Sequence, residues 1–206
     1  MVKISIPINE HTQEGKQQYF SFSVHAQSIM LAGSRNLHLP PTLCHNLVSK
    51  LHAIGFHFFV GCAPGVDRSF RKALSYAPFN KNTFVACAFY SRMKQENTFG
   101  LYSSVVVPDK IPPAAALARR TVWMARRSQF LILFPDNPKT ETWGKGSTLA
   151  FKTATLNLKP VFVVSESAPP PSPLYNIFYT SLFDVVHGCW VVPHPYTTGG
   201  TCEDEW

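Results

Sequence analysis

The amino-acid sequence predicts an α/β fold, a three-layer sandwich built on a mostly parallel sheet, and three observations carry that expectation. Short apolar runs alternate with helically patterned segments from Ser28 to about Ser165, the order that places parallel strands between two helical layers. Glycine-bearing turns close several of those runs, as tight strand-to-helix connections require. The 206 residues, 45% hydrophobic and 13% aromatic, suffice to bury a real core, and the length fits one domain with appendages.

The elements follow in chain order. Residues 1–27 hold two alternating runs, KISIPI and YFSFSV, around the polar NEHTQEGKQQ, which reads as an N-terminal β-hairpin or a pair of edge strands. The core, residues 28–166, begins with the strand SIMLA. A helix through Leu43, Leu47, Leu51 and Ile54 comes next, with Pro40 and Pro41 suited to its first turn and Gly55 to its C-terminal cap. FHFFVG and a helix from Val66 follow, then TFVACAF, a helix from Ala114, QFLILF, a helix from Ser147, and PVFVV. The proline-rich residues 167–173 read as a stiff linker. Residues 174–206 form a small strand-rich or mixed C-terminal appendage that ends in an acidic, frayed TCEDEW.

Charge and cysteine usage narrow the partners. Nineteen Lys and Arg against twelve Asp and Glu leave a net charge of +7, which favours anionic partners such as nucleotides or nucleic acid. Five widely spaced cysteines with no CxxC pair indicate neither a disulfide framework nor a zinc knuckle, so a reducing cytoplasm fits. No signal-peptide core and no apolar run of membrane-spanning length is visible. His187, Cys189, His194 and Cys202 are too loosely spaced to read as a zinc site, and no metal is expected. The arginines of ARRTVWMARR (Arg119, Arg120, Arg126 and Arg127) read mostly as a solvated helix face, and Phe56, Phe58, Phe59, Phe130 and Phe134 as core.

Three turns carry candidate chemistry. Gly33-Ser34-Arg35 lies at the carboxyl end of the first core strand, where open α/β sheets bind ligands; glycine admits a phosphate to the backbone, serine offers a hydroxyl and arginine a charge-assisted fork. In GCAPGVD, Gly61 and Gly65 permit tight geometry, and Asp67 either caps the following helix or reaches a ligand. In WGKGST, Gly146 precedes a helix whose free N–H groups, with Lys145, Ser147 and Thr148, suit an anion. GKGST lacks the glycine spacing of a P-loop.

The order GSR, GxAxGVD, RRTVWMARRSQFLILFP, GKGST and KPVFVV resembles the SLOG superfamily of Rossmann-like nucleotide-binding domains, in particular its YspA-like and DNA-processing protein A (Smf) branches, over roughly Ile29 to Val164. The resemblance implies one phosphate or nucleotide pocket made by Gly33, Ser34, Arg35, Gly61, Gly65, Asp67, Arg120, Lys145, Gly146, Ser147 and Thr148. Arg120 and Met124 match the family's RNxxM-like helix start, whereas Thr121 replaces its asparagine. The phosphoribohydrolase branch named for the LONELY GUY enzymes carries a glutamate on the helix after its glycine loop; here Leu149, Ala150 and Phe151 stand instead, which argues against that hydrolytic chemistry. The implied role is that of a sensor or carrier for a nucleotide or nucleotide-derived ligand, with no other cofactor. Single-stranded nucleic-acid binding is the alternative, and N-glycosidic hydrolysis a weaker one. No membrane partner is expected, and a homo-oligomer is compatible with the pattern.

Overall fold

The computed structural model describes residues 2–8, 18–24 and 28–194. Strands β1 (Val2–Ile8) and β2 (Gln18–Val24) pair antiparallel, as the two alternating runs lead one to expect; the polar segment between them and the acidic TCEDEW lie outside the described residues.

From Ser28 the chain alternates as its pattern dictates: β3 (Ser28–Gly33), α1 (Pro41–Ala53), β4 (His57–Gly61), α2 (Val66–Leu74), β5 (Thr83–Cys87), the one-turn α3 (Gln95–Thr98), β6 (Ser103–Val105), α4 (Pro113–Arg127) and β7 (Phe130–Phe134). A two-residue ribbon of β8 (Asp136–Asn137) and β9 (Thr142–Trp143) leads into α5 (Lys145–Leu156), β10 (Val161–Val163), β11 (Tyr175–Leu182) and β12 (Val186–Pro193). Pro41 opens α1, where its missing N–H costs nothing, and Gly55 takes a φ of 88° just past the helix end.

One sheet of eight strands organises the core, in the order β11-β12-β10-β7-β3-β4-β5-β6. The strands from β10 to β6 all run parallel. Alternate residues of each strand serve opposite layers. Ile29, Leu31, Phe58, Val60, Ile132 and Phe134 pack beneath α1 and α2 with Leu47, Leu51 and Phe70. Met30, Ala32, Leu131, Leu133 and Val163 pack beneath α4 and α5 with Met124, Ala150 and Phe151. Burial on both faces explains why these strands are continuously apolar.

The segment read as a C-terminal appendage is strand-rich, and it continues the main sheet: β12 pairs antiparallel with both β10 and β11. Trp190 fastens it there, its ring 5.5 Å from that of Phe130 and 5.2 Å from that of Phe162. Among the described residues no helix is long and apolar enough to cross a membrane.

Sheet order also fixes where a crevice opens. The chain winds from β3 outward through β4, β5 and β6, then returns to the other side of β3 to lay down β7. The connections leaving β3 and β7 therefore part to opposite faces, and the gap falls beyond their carboxyl ends.

Candidate functional site

The turn after β3 is built for close approach. A side chain at Gly33 would run into the carbonyl of Phe134, and the Ser34 N–H donates to that same carbonyl at 2.8 Å. The Ser34 carbonyl accepts the Val66 N–H at 3.0 Å, seating the start of α2 on this turn. Gly65, at φ 68°, has the backbone of Ser34 and Arg35 against it, so any side chain there meets both strain and collision. The Ser34 hydroxyl accepts the Asn36 N–H at 3.2 Å, and the Asn36 amide donates to the Asn137 side-chain oxygen at 3.0 Å, tying the turns after β3 and β7 together.

Between these turns and α5 lies a cavity of about 660 Å³, within the range of small-ligand sites. Gly33, Ser34, Arg35, Asp67, Arg120, Lys145, Gly146 and Ser147 all line it. Ser34 and Ser147, distant in sequence, thus meet at one edge of the sheet, as the fold requires. Gly61, Gly65 and Thr148 stand one layer behind. Gly61 leaves room for the Arg120 and Asp67 side chains, Gly65 supports the first turn, and the Thr148 hydroxyl turns back to the Gly144 carbonyl at 3.3 Å.

The cavity floor holds a buried ion pair. Arg120 and Asp67, exposed by only 6% and 4%, meet with NH1 to Oδ2 at 3.2 Å. The same carboxylate oxygen accepts the Ala63 N–H at 3.2 Å. Helix α2 is capped by Gly65 without any side-chain bond, so Asp67 faces back into the loop and does not cap the helix. The Arg120 Nε is buried with no hydrogen-bond partner, a costly state that an added acceptor would relieve.

Arg71 lies behind the floor, outside the cavity lining, and escaped the sequence reading. It is 2% exposed, donates from Nε to the Asn97 carbonyl at 2.8 Å, and bonds through NH1 to the Gly61 carbonyl. Burial works against its charge while Asp67 supports it. The rim is different: Arg35 and Lys145 are exposed. The first turn of α5 begins at Gly144, contains no acidic residue, and bonds back only from the Thr148 N–H, to the Gly144 carbonyl at 3.0 Å. Its preceding N–H groups and helix dipole favour an anion.

Apolar and small side chains make the remaining wall: Met30, Ala32, Leu117, Ala118, Met124, Leu149 and Ala150. Thr121, which stands in place of the family's asparagine, also lines the cavity, but its hydroxyl donates to the Leu117 carbonyl at 3.0 Å. Among the described residues no cluster of three His, Cys, Asp or Glu side chains could hold a metal; Cys202 lies outside them.

Fold and crevice together define a Rossmann-like α/β protein with an anion-suited cavity at its topological switch point. No protein-family model matches the sequence, and no curated protein matches it. Among solved structures, DNA processing protein A (DprA) from Streptococcus pneumoniae is similar with a TM-score of 0.50 and 17% identity over 72% of this chain. The chain spans 52%, about half, of that protein's length. The molybdenum cofactor binding protein from Rippkaea orientalis is similar with a TM-score of 0.50 and 16% identity, over 70% of this chain and 80% of that one. DNA processing protein A from Helicobacter pylori, described for its single-stranded DNA binding mode, aligns at a TM-score of 0.49 and 18% identity, over 71% and 68% of the two chains. At these identities the likeness is one of fold, shared with both DNA processing protein A and the molybdenum cofactor binding protein.

Proposed function

We propose that this protein binds a nucleotide or nucleotide-derived phosphate ligand in the carboxyl-edge cavity, acting as a sensor or carrier. The convergence of Arg35, Arg120 and Lys145 on one cavity carries the reading, because guanidinium and ammonium groups gathered at one place suit an anionic oxygen. Arg35, Lys145 and the α5 N-terminus surround that place with positive potential. The alanine-rich wall between α4 and α5 suits a planar base. The same fold in a molybdenum cofactor binding protein is consistent with a small-ligand role. Calorimetry with a panel of mononucleotides tests the proposal, preceded by mass spectrometry of whatever co-purifies. Binding of at least one nucleotide, lost on Arg35→Ala plus Lys145→Ala, is the expected result; a panel with no binder overturns it.

Single-stranded nucleic acid is the second reading, favoured by the net charge of +7 and by the fold shared with DNA processing protein A. Glycosidic-bond hydrolysis ranks lower. Among the residues lining the cavity the one carboxylate is Asp67, already bonded to Arg120, while α5 contributes Leu149 and Ala150.

A further inference from the structure

Beneath the cavity floor lies a pair of cysteines that ligand binding does not use. Strands β4 and β5 run parallel with Gly61 opposite Ala86, so the next residues, Cys62 and Cys87, follow side by side on one face. Neighbouring strands lie about 4.8 Å apart, and a disulfide joins Cα atoms roughly 4.4–6.8 Å apart. Both thiols are free and buried. The Cys62 and Cys87 thiols interact with one another, and the Cys62 sulfur accepts the Ala88 N–H at 3.5 Å and lies 3.7 Å from Nη1 of Arg120.

The buried guanidinium groups near this sulfur favour its ionised form. Arg71 and Arg120 face a single carboxylate, Asp67, and a thiolate at Cys62 supplies the missing negative charge. The bond from Cys87, with help from Arg120 and the Ala88 N–H, holds the Cys62 thiol well below its ordinary range despite burial and Asp67; that same bond and burial push Cys87 up. One sulfur is therefore suited to attack and its neighbour to resolve. Ala63, Asp67 and Arg120 enclose Cys62 and also line the cavity, so a small oxidant inside it has the Arg120 guanidinium to pass.

We propose that Cys62 and Cys87 form a redox-active dithiol that closes to an intramolecular disulfide when a hydroperoxide enters the cavity. The Cys62 thiolate attacks one peroxide oxygen; the O–O bond breaks, sulfur is oxidised to the sulfenic acid, and hydroxide (or alkoxide) leaves. The Cys87 sulfur then attacks the Cys62 sulfur, the S–OH bond breaks, and the departing hydroxide takes the Cys87 proton as water. This dithiol does not depend on which ligand the cavity holds.

Peptide mapping after graded hydrogen peroxide treatment of the native protein tests it, with free glutathione in the same sample reporting the oxidant dose. Trypsin releases Leu51–Arg68 and Asn82–Arg92 with one cysteine each. The expected product is these two peptides joined, two hydrogens lighter than their sum and separated again by dithiothreitol. Cys44 and Cys189, whose thiols burial pushes up to about 12 and about 11, stay reduced at that dose. In Cys87→Ser, Cys62 is trapped as a dimedone-reactive sulfenic acid. Both peptides remaining unlinked while glutathione is fully oxidised, or a link that forms only in denaturant, overturns the proposal.

Discussion

The floor and the rim of the cavity carry the same kinds of charge and hold them in opposite ways. On the floor, Arg120 and Asp67, and just behind it Arg71, are nearly sealed from water and bonded to one another or to backbone carbonyls. On the rim, Arg35 and Lys145 reach into solvent. Buried charges must be compensated locally or the fold loses stability, whereas exposed ones cost little to keep and are free to meet a ligand. Floor residues therefore belong first to stability and rim residues first to binding.

The sharpest way to break this division is Asp67→Ala, which leaves Arg120 and Arg71 without their shared carboxylate. Loss of one partner from a buried pair costs about 3–5 kcal/mol. Urea unfolding is expected to reveal that loss, and added inorganic phosphate to restore part of it by occupying the vacated position. A loss under about 1 kcal/mol, the scale of an exposed pair, would mean that the floor charges are solvated after all.

Arg35→Ala and Lys145→Ala probe the other half. Each removes a charge-assisted hydrogen bond from the ligand, so nucleotide affinity is expected to fall by about 1.5–3 kcal/mol while stability stays within about 0.5 kcal/mol of the parent. Calorimetry paired with thermal melts separates the two effects. Equal losses in both measurements would erase the distinction between rim and floor.

How much of this was readable in advance follows from the same contrast. Strands β3, β4, β5, β7 and β10 and helices α1, α2, α4 and α5 were legible because apolar periodicity and Pro or Gly punctuation mark strands covered on both faces and helices buried on one. Strand β6, with Ser103 and Ser104 at the sheet edge, and the β8–β9 ribbon carry no such run. The segment holding β12 read only as strand-rich or mixed, and nothing local to it states that its neighbour is β10. In the site, glycine turns were readable and buried charge was not. Arg71 sits in VDRSFRKAL beside the exposed Arg68, and one-dimensional spacing does not tell a solvated arginine from one threaded under a carbonyl.

Gly61→Ala sharpens the comparison at a smaller scale. The added methyl would press on the Arg120 guanidinium and the Asp67 carboxylate, and overpacking of this kind costs roughly 1–3 kcal/mol. Because the displaced group is the cavity floor, affinity is expected to change along with stability. A variant that binds normally and melts normally would show that the floor has slack.

The smallest effects are expected farthest from the cavity, and they separate the two candidate partners. Arg126 and Arg127 are exposed at the end of α4, and Arg127 stacks over the Trp123 ring at 4.6 Å; neither lines the cavity. A nucleotide confined to the cavity meets only Arg35, Lys145 and Arg120 as cations, so Arg126→Ala and Arg127→Ala are expected to leave its affinity unchanged and its salt dependence shallow. A single strand crossing the surface would displace about 0.7 counterion for each phosphate contacted, and loss of either arginine would then flatten a steep salt slope. Titrations of a mononucleotide and of a short oligonucleotide at low and moderate salt distinguish these outcomes. Steep oligonucleotide binding that weakens in both arginine variants, with no nucleotide binding at all, would move the site from the cavity to the surface around it and leave the floor charges a purely structural part.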